Sequence, residues 1–395
     1  NALSVQNYGD NNYNTAVGYA AGSSVVSGLK NNLLGGLAGN SLTTGSNNVA
    51  IGYEALTTED TGSRNIAIGQ SALGSLNYDG NGYNIAIGHN AGVAVTTGTD
   101  NTIIGGLAGD ALTTGALNVA VGKAALSTED TGSANVAIGH AALMNQNYDG
   151  SAYNTAVGHN AGAATTTGVQ NTLVGGEAGL TLTTGEKNTA LGYRALYSNA
   201  DGDNNTAIGY RALYTMDPSG NADMYNVAVG HDAGLSVSTG VENVLIGGLT
   251  GDALTTGDYN TAVGHKSLSG EDTGNRNTAL GYKTLEVLNY DGNAENTAVG
   301  YIAGASITTG LRNTLVGAFA GDSITTGSDN TAFGRAALAS EDTGAKNTAV
   351  GYSALNSLNY DGDGHNTAVG YNAGVFVSTG QNNTLLGSQA GDALT

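Results

Sequence analysis

The chain has no cysteine and no tryptophan, and only one proline and three phenylalanines among its 395 residues. Without cysteine, neither disulfide bonds nor thiolate metal sites are available. A compact core with so few large aromatic side chains would pack poorly. Basic residues are also scarce, with 12 Lys and Arg against 32 Asp and Glu, and the net charge is -20. Such a surface repels phosphate backbones, so we predict no nucleic-acid partner.

Long apolar runs are absent as well. No stretch approaches the roughly 20 apolar residues of a membrane-spanning helix, so we predict no membrane insertion in this segment. No charged-then-apolar leader opens the chain, which starts at Asn1. We therefore expect a processed chain or a piece of a longer fibre.

Glycine, by contrast, is abundant, at 64 of 395 residues against a usual share of about 7%. Much of it belongs to a motif, Asn-x-Ala-Val/Ile-Gly, that returns at Gly18, Gly35, Gly52, Gly69 and Gly88. The steps are 17, 17, 17 and 19 residues, and this order repeats, with one step of 21 between Gly209 and Gly230. Residues 1–395 thus form one array of 22 rungs, in about 5.5 superrepeats of about 70 residues.

A unit of this length is too short for a helical hairpin, and its glycine and β-branched content opposes helix. It suits one coil of a solenoid. We predict an all-β parallel β-solenoid, or β-roll, of 22 rungs, each about 17 residues long except for a rung of about 19 to 21 residues in every fourth place. Rungs about 4.8 Å apart would make a rod on the order of 100 Å long. Stacked repeats need polar caps, and none is present, so we expect a continuation or end-to-end stacking.

The side chains of each strand alternate, so Ala16 and Val17 point to opposite faces. Two arrangements are open. Either Ala fills a narrow interior and the outward Val stripe is covered by other chains in a homotrimer, or Val faces inward and the chain stands alone. We favour the first.

Three residues of each rung are predicted to be structural. Asn would stack into a ladder in which each amide bonds the next, Val or Ile would form the stripe, and Gly would turn the coil. Examples from three rungs are Asn14, Val17, Gly18, Asn84, Ile87, Gly88, Asn154, Val157 and Gly158.

The core Ala-Val/Ile-Gly-x-x-Ala, seen at Ala16–Ala21 and again at Ala50–Ala55, resembles the head repeats of YadA-like trimeric autotransporter adhesins. The array is also similar to Asn-Thr-Ala-Val-Gly-Tyr repeats in phage tail fibres. The resemblance covers almost the whole chain, although the rung is longer than the usual head repeat and no neck, stalk or membrane-anchoring barrel is present. It implies a trimeric, left-handed parallel β-roll on a bacterial surface or a virion.

The insertions in the fourth rung of each superrepeat are candidate lateral contacts for a protein or glycan, because insertions in a solenoid map to one face. The alternative, which we favour, is a turn whose Tyr packs on the adjacent rung. The candidate residues are Tyr78, Asp79, Tyr148, Asp149, Asp217, Tyr290, Asp291, Tyr360 and Asp361.

No catalytic constellation is found, and we predict that the chain is not an enzyme. Five histidines (His89, His140, His159, His231 and His265) occupy the position after the rung Gly, where other rungs have Tyr, Lys or Arg. A position that accepts all four residue types indicates an exposed outer column rather than a metal site. The Asp-Gly turns do not complete a calcium loop, so we expect no cofactor beyond adventitious calcium.

The Thr-Thr-Gly triplets, such as Thr43–Gly45, resemble ice-binding arrays but are interrupted in other rungs. We expect these threonines to hydrogen-bond the turn instead. The most consistent function is the shaft or head of an extracellular fibre that attaches to a receptor or glycan on a cell or surface. A self-assembling filament is the alternative, and an ice-binding solenoid is a weaker one.

Overall fold

Each repeat of the Asn-x-Ala-Val-Gly motif forms one short parallel strand. The computed structural model describes residues 1–6 and 11–395, which fall into two compact units, Asn1–Asp201 and Gly202–Thr395. The strands of the first unit are β1 (Thr15–Val17), β2 (Asn32–Leu34), β3 (Val49–Ile51), β4 (Ile66–Ile68), β5 (Ile85–Ile87), β6 (Thr102–Ile104), β7 (Val119–Val121), β8 (Val136–Ile138), β9 (Thr155–Val157), β10 (Thr172–Val174) and β11 (Thr189–Leu191).

The second unit repeats this organisation and adds one small strand pair, β12 with β14. Its strands are β12 (Gly202–Asp203), β13 (Thr206–Ile208), β14 (Ala222–Asp223), β15 (Val227–Val229), β16 (Val244–Ile246), β17 (Thr261–Val263), β18 (Thr278–Leu280), β19 (Thr297–Val299), β20 (Thr314–Val316), β21 (Thr331–Phe333), β22 (Thr348–Val350), β23 (Thr367–Val369) and β24 (Thr384–Leu386). No helix occurs among the described residues.

Successive rungs pair in parallel and in register. Within the first unit Thr15 pairs with Asn32, one rung later, and the same pairing continues along the stack. Where a long loop intervenes, the register is kept, since Ile66 pairs with Ile85 of the next rung. The predicted parallel β-solenoid of about 22 turns is therefore confirmed.

The middle residue of the three-residue strands points inward and is buried, as Ala50, Ala67 and Ala86 show, except in β1 and β24, where it is half-buried. Alanine fits because one coil encloses little space. The alternative in which Val faces the interior is wrong, since the residues on either side of the Ala are the partly exposed ones.

One rung in four replaces this Ala with a larger residue, and glycine makes the room. A Cβ on Gly39 would lie 2.9 Å from Cδ2 of Leu33, and a Cβ on Gly22 would lie 2.5 Å from Cδ1 of the same side chain. The third and fourth rungs of the superrepeat have Ala in the strand and a buried Leu, such as Leu56 and Leu73, at the position equivalent to Gly39. A large residue therefore fills the interior in these rungs either from the strand, as Leu33 does, or from the position equivalent to Gly39, as Leu56 does.

The predicted asparagine ladder is present, but its principal bonds are not between amides. Oδ1 of Asn14 accepts the backbone N–H of Asn31 at 2.8 Å, and Nδ2 of Asn14 donates to the carbonyl of Gly28 at 2.7 Å. Asn154 makes the equivalent bonds with Asn171 and Gly168.

Direct amide-to-amide contacts are longer, as the 3.2 Å from Nδ2 of Asn101 to Oδ1 of Asn84 shows. The backbone is the preferred partner because the turn before each strand leaves an N–H and a C=O that nothing else satisfies. An Asn with both bonds therefore joins its own coil to the next, whereas in the fourth rung of the superrepeat Nδ2 has another partner, such as the carbonyl of Ser63 for Asn65, or none, as in Asn135.

Candidate functional site

The outward side of the strands forms a surface in each unit, here called the outer face, that consists of the first and third residues of the strands that follow the rung Asn. Its third-position residues are Val, Ile, Leu or Phe, including Val17, Ile87 and Val157. Val17 is 62% exposed and Ile87 is 36% exposed, while Val157 is half-buried between its neighbours. No position of the outer face carries a charge, although the chain has a net charge of -20.

The first-position residues of the outer face are Thr in eight successive strands, β17 to β24. The structure shows no hydrogen bond from these eight hydroxyls in the part of the chain that it describes. The Thr-Thr-Gly threonines behave differently: Oγ1 of Thr43 donates to the carbonyl of Asp60 at 3.0 Å, and Thr113 does the same with Asp130 at 2.9 Å. The expectation that the triplets hydrogen-bond the turn is confirmed.

A second column, immediately after the rung Gly, carries stacked rings. The rings of His140 and His159 lie 5.3 Å apart, and those of Tyr282 and Tyr301 also lie 5.3 Å apart, both pairs nearly parallel. All five histidines named above are exposed, which confirms an outer column. Because the rings stack on one another, they offer edges rather than faces to solvent.

The long loops are held to the rung that precedes them. Oγ1 of Thr61 donates to Asp79 at 2.6 Å, and the ring of Tyr78 lies against Gly80. The loops with Asp149, Asp291 and Asp361 repeat the threonine contact at 2.6–2.8 Å. The aspartates and tyrosines of these loops range from half-buried to exposed. In the longer loop the N–H of Asp217 donates to the carbonyl of Ser238 at 3.0 Å.

These contacts favour a turn that is satisfied within the chain. One carboxylate oxygen of each of these four aspartates, Oδ1, is already an acceptor for threonine. The loops still present their outer edges to solvent, so their role as lateral contacts stays a prediction.

Sequence reasoning missed four buried carboxylates. Glu59, Glu129, Glu271 and Glu341 are each fully buried at a position that is apolar in most other rungs. For Glu59 the residues at that position in the flanking rungs are Leu42 and Leu76, both fully buried. The available signal was the recurrence of Glu-Asp-Thr-Gly, as in Glu59–Gly62, in the third rung of the superrepeat, with its Glu at a position that is apolar in most other rungs.

Backbone N–H groups surround each of these carboxylates. The N–H of Gly62 donates to Oε1 of Glu59 at 2.6 Å, and the N–H of Tyr78, in the long loop of the next rung, donates to Oε2 at 3.2 Å. Burial raises the pKa of all four glutamates, although these N–H groups oppose the shift. A buried carboxylate with few solvent contacts is costly in its charged form.

Among the described residues, no group of three or more His, Asp or Glu side chains is arranged to hold a metal ion. In the same residues no pocket is found, and no helix is long and apolar enough to cross a membrane. No protein-family model and no curated protein sequence matches the chain.

Proposed function

We propose that the chain is a structural segment of an extracellular fibre, on a cell surface or a virion, that self-associates laterally through its outer face. The observation that carries the proposal is the outer face itself: in each unit, every rung adds a partly exposed apolar residue and none adds a charge. Contiguous apolar surface of this kind marks interaction sites in soluble proteins. The strands that follow the rung Asn lie about 4.8 Å apart, so the outer face of each unit is about 50 Å long.

A second copy of the chain is the partner that fits best. Two copies placed in parallel present Val, Ile or Leu at the same interval along the strip, so every rung meets an apolar residue. Their charges, which would repel, lie outside the outer face. The resemblance to YadA-like heads favours three copies around one axis.

Such a segment would act in attachment by repetition. Weak contacts to a receptor or glycan multiply when they are repeated along a rigid support. The long loops and the stacked column after the rung Gly lie outside the outer face, so they are the surfaces available for such contacts when the outer face is covered.

Sedimentation velocity and electron microscopy of the chain test the proposal. Discrete trimers are expected. Indefinite filaments would favour the alternative, a self-assembling extracellular filament. A species that remains monomeric at high concentration would overturn self-association through the outer face.

One observation favours a second candidate, binding to ice. Strands β17 to β24 present Thr hydroxyls beside apolar side chains, in register from rung to rung. A thermal-hysteresis assay of the monomeric fraction tests it. Thermal hysteresis that disappears when Thr297 and Thr314 are replaced by Lys would support this candidate, and an absence of hysteresis would eliminate it.

A further inference from the structure

We propose that three of the buried glutamates, Glu59, Glu129 and Glu271, are proton-sensitive latches: each holds one end of a long loop, and mild acid loosens that end while the solenoid stays folded. The inference is independent of self-association, because every contact it uses lies within one chain.

The two oxygens of each latch serve different segments. Oε1 of Glu129 accepts the N–H of Gly132, in its own turn, at 2.7 Å, while Oε2 accepts the N–H of Tyr148, in the loop of the next rung, at 3.3 Å. Glu271 repeats this arrangement with Gly274 at 2.7 Å and Tyr290 at 3.3 Å.

Glu59 follows the same plan with Gly62 and Tyr78, as described above. Glu341 makes only the first of the two contacts: its Oε1 accepts the N–H of Gly344 at 2.7 Å, while its Oε2 is buried without a hydrogen-bond partner.

The turn is shaped to admit the carboxylate. A Cβ on Gly132 would lie 2.4 Å from the carboxyl carbon of Glu129, so only glycine leaves room for it. The titratable neighbour in the same turn is Asp130, whose charge disfavours a second negative charge on Glu129. The loop itself carries one carboxylate, Asp149, which is an acceptor for Thr131. No cation is among the groups that shift the pKa of Glu129, so its charge is balanced by N–H dipoles.

Protonation would affect the two contacts unequally. Oε1 lies at the shorter distance from its N–H donor, so the proton is expected on Oε2. An Oε2–H group then faces the N–H of Tyr148, donor against donor, and that bond is lost. The other end of the loop is retained, because Ser133 bonds Gly150 and Ala152 through the backbone at 2.8 and 3.2 Å.

The third superrepeat provides an internal comparison. Its sequence has Asn199 where the others have the glutamate, and Pro218 where they have the tyrosine. Asparagine does not titrate, and proline has no N–H to donate. Both partners of the latch are thus replaced together in the one superrepeat whose loop has a different sequence.

Hydrogen–deuterium exchange of the intact chain at pH 7 and pH 5, corrected for the intrinsic pH dependence of exchange, tests the proposal. Peptides that contain Tyr78, Tyr148 and Tyr290 should lose protection at pH 5, by up to about tenfold, the value of one hydrogen bond to a charged group. The peptide that contains Pro218 should not change. The variant Glu129→Gln should show the loosened loop near Tyr148 already at pH 7, whereas Glu242→Gln, at an exposed position, should not.

Loop protection that is independent of pH would overturn the latch. An equal change in the Pro218 peptide would also overturn it, because the acid effect would then not depend on the glutamate. If Glu129→Gln fails to fold, the comparison of the wild-type loops at the two pH values still decides the question.

Discussion

Gly158 and Gly175, one rung apart, are in contact through their backbones so closely that a Cβ on Gly158 would lie 2.3 Å from the carbonyl oxygen of Gly175. The φ angle of Gly158 is 144°, a region that side-chain-bearing residues rarely adopt. Two independent reasons therefore require glycine at this position: its positive φ angle and the lack of space for a Cβ. The same contact recurs between Gly88 and Gly105, at 2.5 Å.

Replacing Gly158 with Val should consequently lower the free energy of unfolding by on the order of 3 kcal/mol, from backbone strain and overpacking together. Chemical denaturation followed by circular dichroism measures the change. Gly106→Ala is the matched control, since a Cβ there has no atom within 4 Å and φ lies outside the left-handed region. It should change stability by less than about 0.5 kcal/mol. Equal losses in the two variants would show that the contact with Gly175 is not the cause.

The asparagine ladder leads to a second prediction. Oδ1 of Asn101 accepts the N–H of Asn118 at 3.0 Å, and its Nδ2 donates to the carbonyl of Gly115 at 2.9 Å, all in the buried interior. Asn101→Ala leaves both backbone groups without partners and should cost about 2–4 kcal/mol, measured by denaturation. Asn145→Ala, at an exposed position, is the control and should be nearly neutral. A neutral Asn101→Ala would mean that water replaces the amide.

The motif alone was sufficient to predict the coil and the required Gly, because each of these depends on a local rule that repeats in every rung. It favoured the inward Ala but left the arrangement with Val inside open. Side chains alternate between the two faces of a strand, and glycine is favoured where φ is positive; both rules apply within a single rung. The Leu33–Gly39 pairing and the backbone bonds of the Asn ladder were not predicted, because each joins positions on opposite sides of the coil or on successive coils.

The glutamate latches were missed for a related reason. A charged residue in a turn motif ordinarily indicates an exposed turn, and only the three-dimensional alignment of Glu59 with Leu42 and Leu76 places it inside. Its partner, the N–H of Tyr78, lies in the next rung, and a backbone group leaves no trace in the sequence unless it is replaced by proline, as at Pro218.

Self-association through the outer face predicts that two substitutions in neighbouring rungs affect the oligomeric state differently. Val157→Asp places a charge in the apolar strip and should shift the chain from trimers toward monomers, by about tenfold or more in the association constant, because a charge buried without a partner is costly. Tyr148→Ala, in a loop, should leave the oligomeric state unchanged. Sedimentation equilibrium measures both.

Gln170→Glu controls for net charge, since it adds one negative charge at an exposed position outside the strands that form the outer face. Dissociation by this variant to the same extent as by Val157→Asp would attribute the effect to general repulsion. Equal, negligible effects of Val157→Asp and Tyr148→Ala would contradict a covered outer face.

The buried glutamates also make the stability of the whole chain depend on pH. Burial raises the folded-state pKa of Glu59, Glu129, Glu271 and Glu341 above the ordinary value of 4.5, so the folded chain holds protons over a range in which the unfolded chain has released them. Stability from these groups is therefore complete below pH 4.5 and is lost as the pH rises through the folded-state pKa. Burial also raises the pKa of three aspartates above their ordinary value of 3.8: Asp110, Asp252 and Asp322. Their contribution to stability is likewise complete below pH 3.8 and is lost as the pH rises through the folded-state pKa.

The chain should accordingly withstand denaturant better at pH 5 than at pH 7, even though the latched loops loosen at the lower pH. Replacing Glu59, Glu129, Glu271 and Glu341 together by Gln removes these titrating groups and should reduce the difference in stability between pH 5 and pH 7. The control Glu242→Gln, at an exposed position, should leave that difference unchanged. The urea midpoints of the wild type and of both variants, measured at pH 5 and pH 7, give the change in stability with pH. A chain that becomes steadily less stable between pH 7 and pH 5 would contradict the direction, because it would mean that the carboxylates are better stabilised in the folded chain than in water.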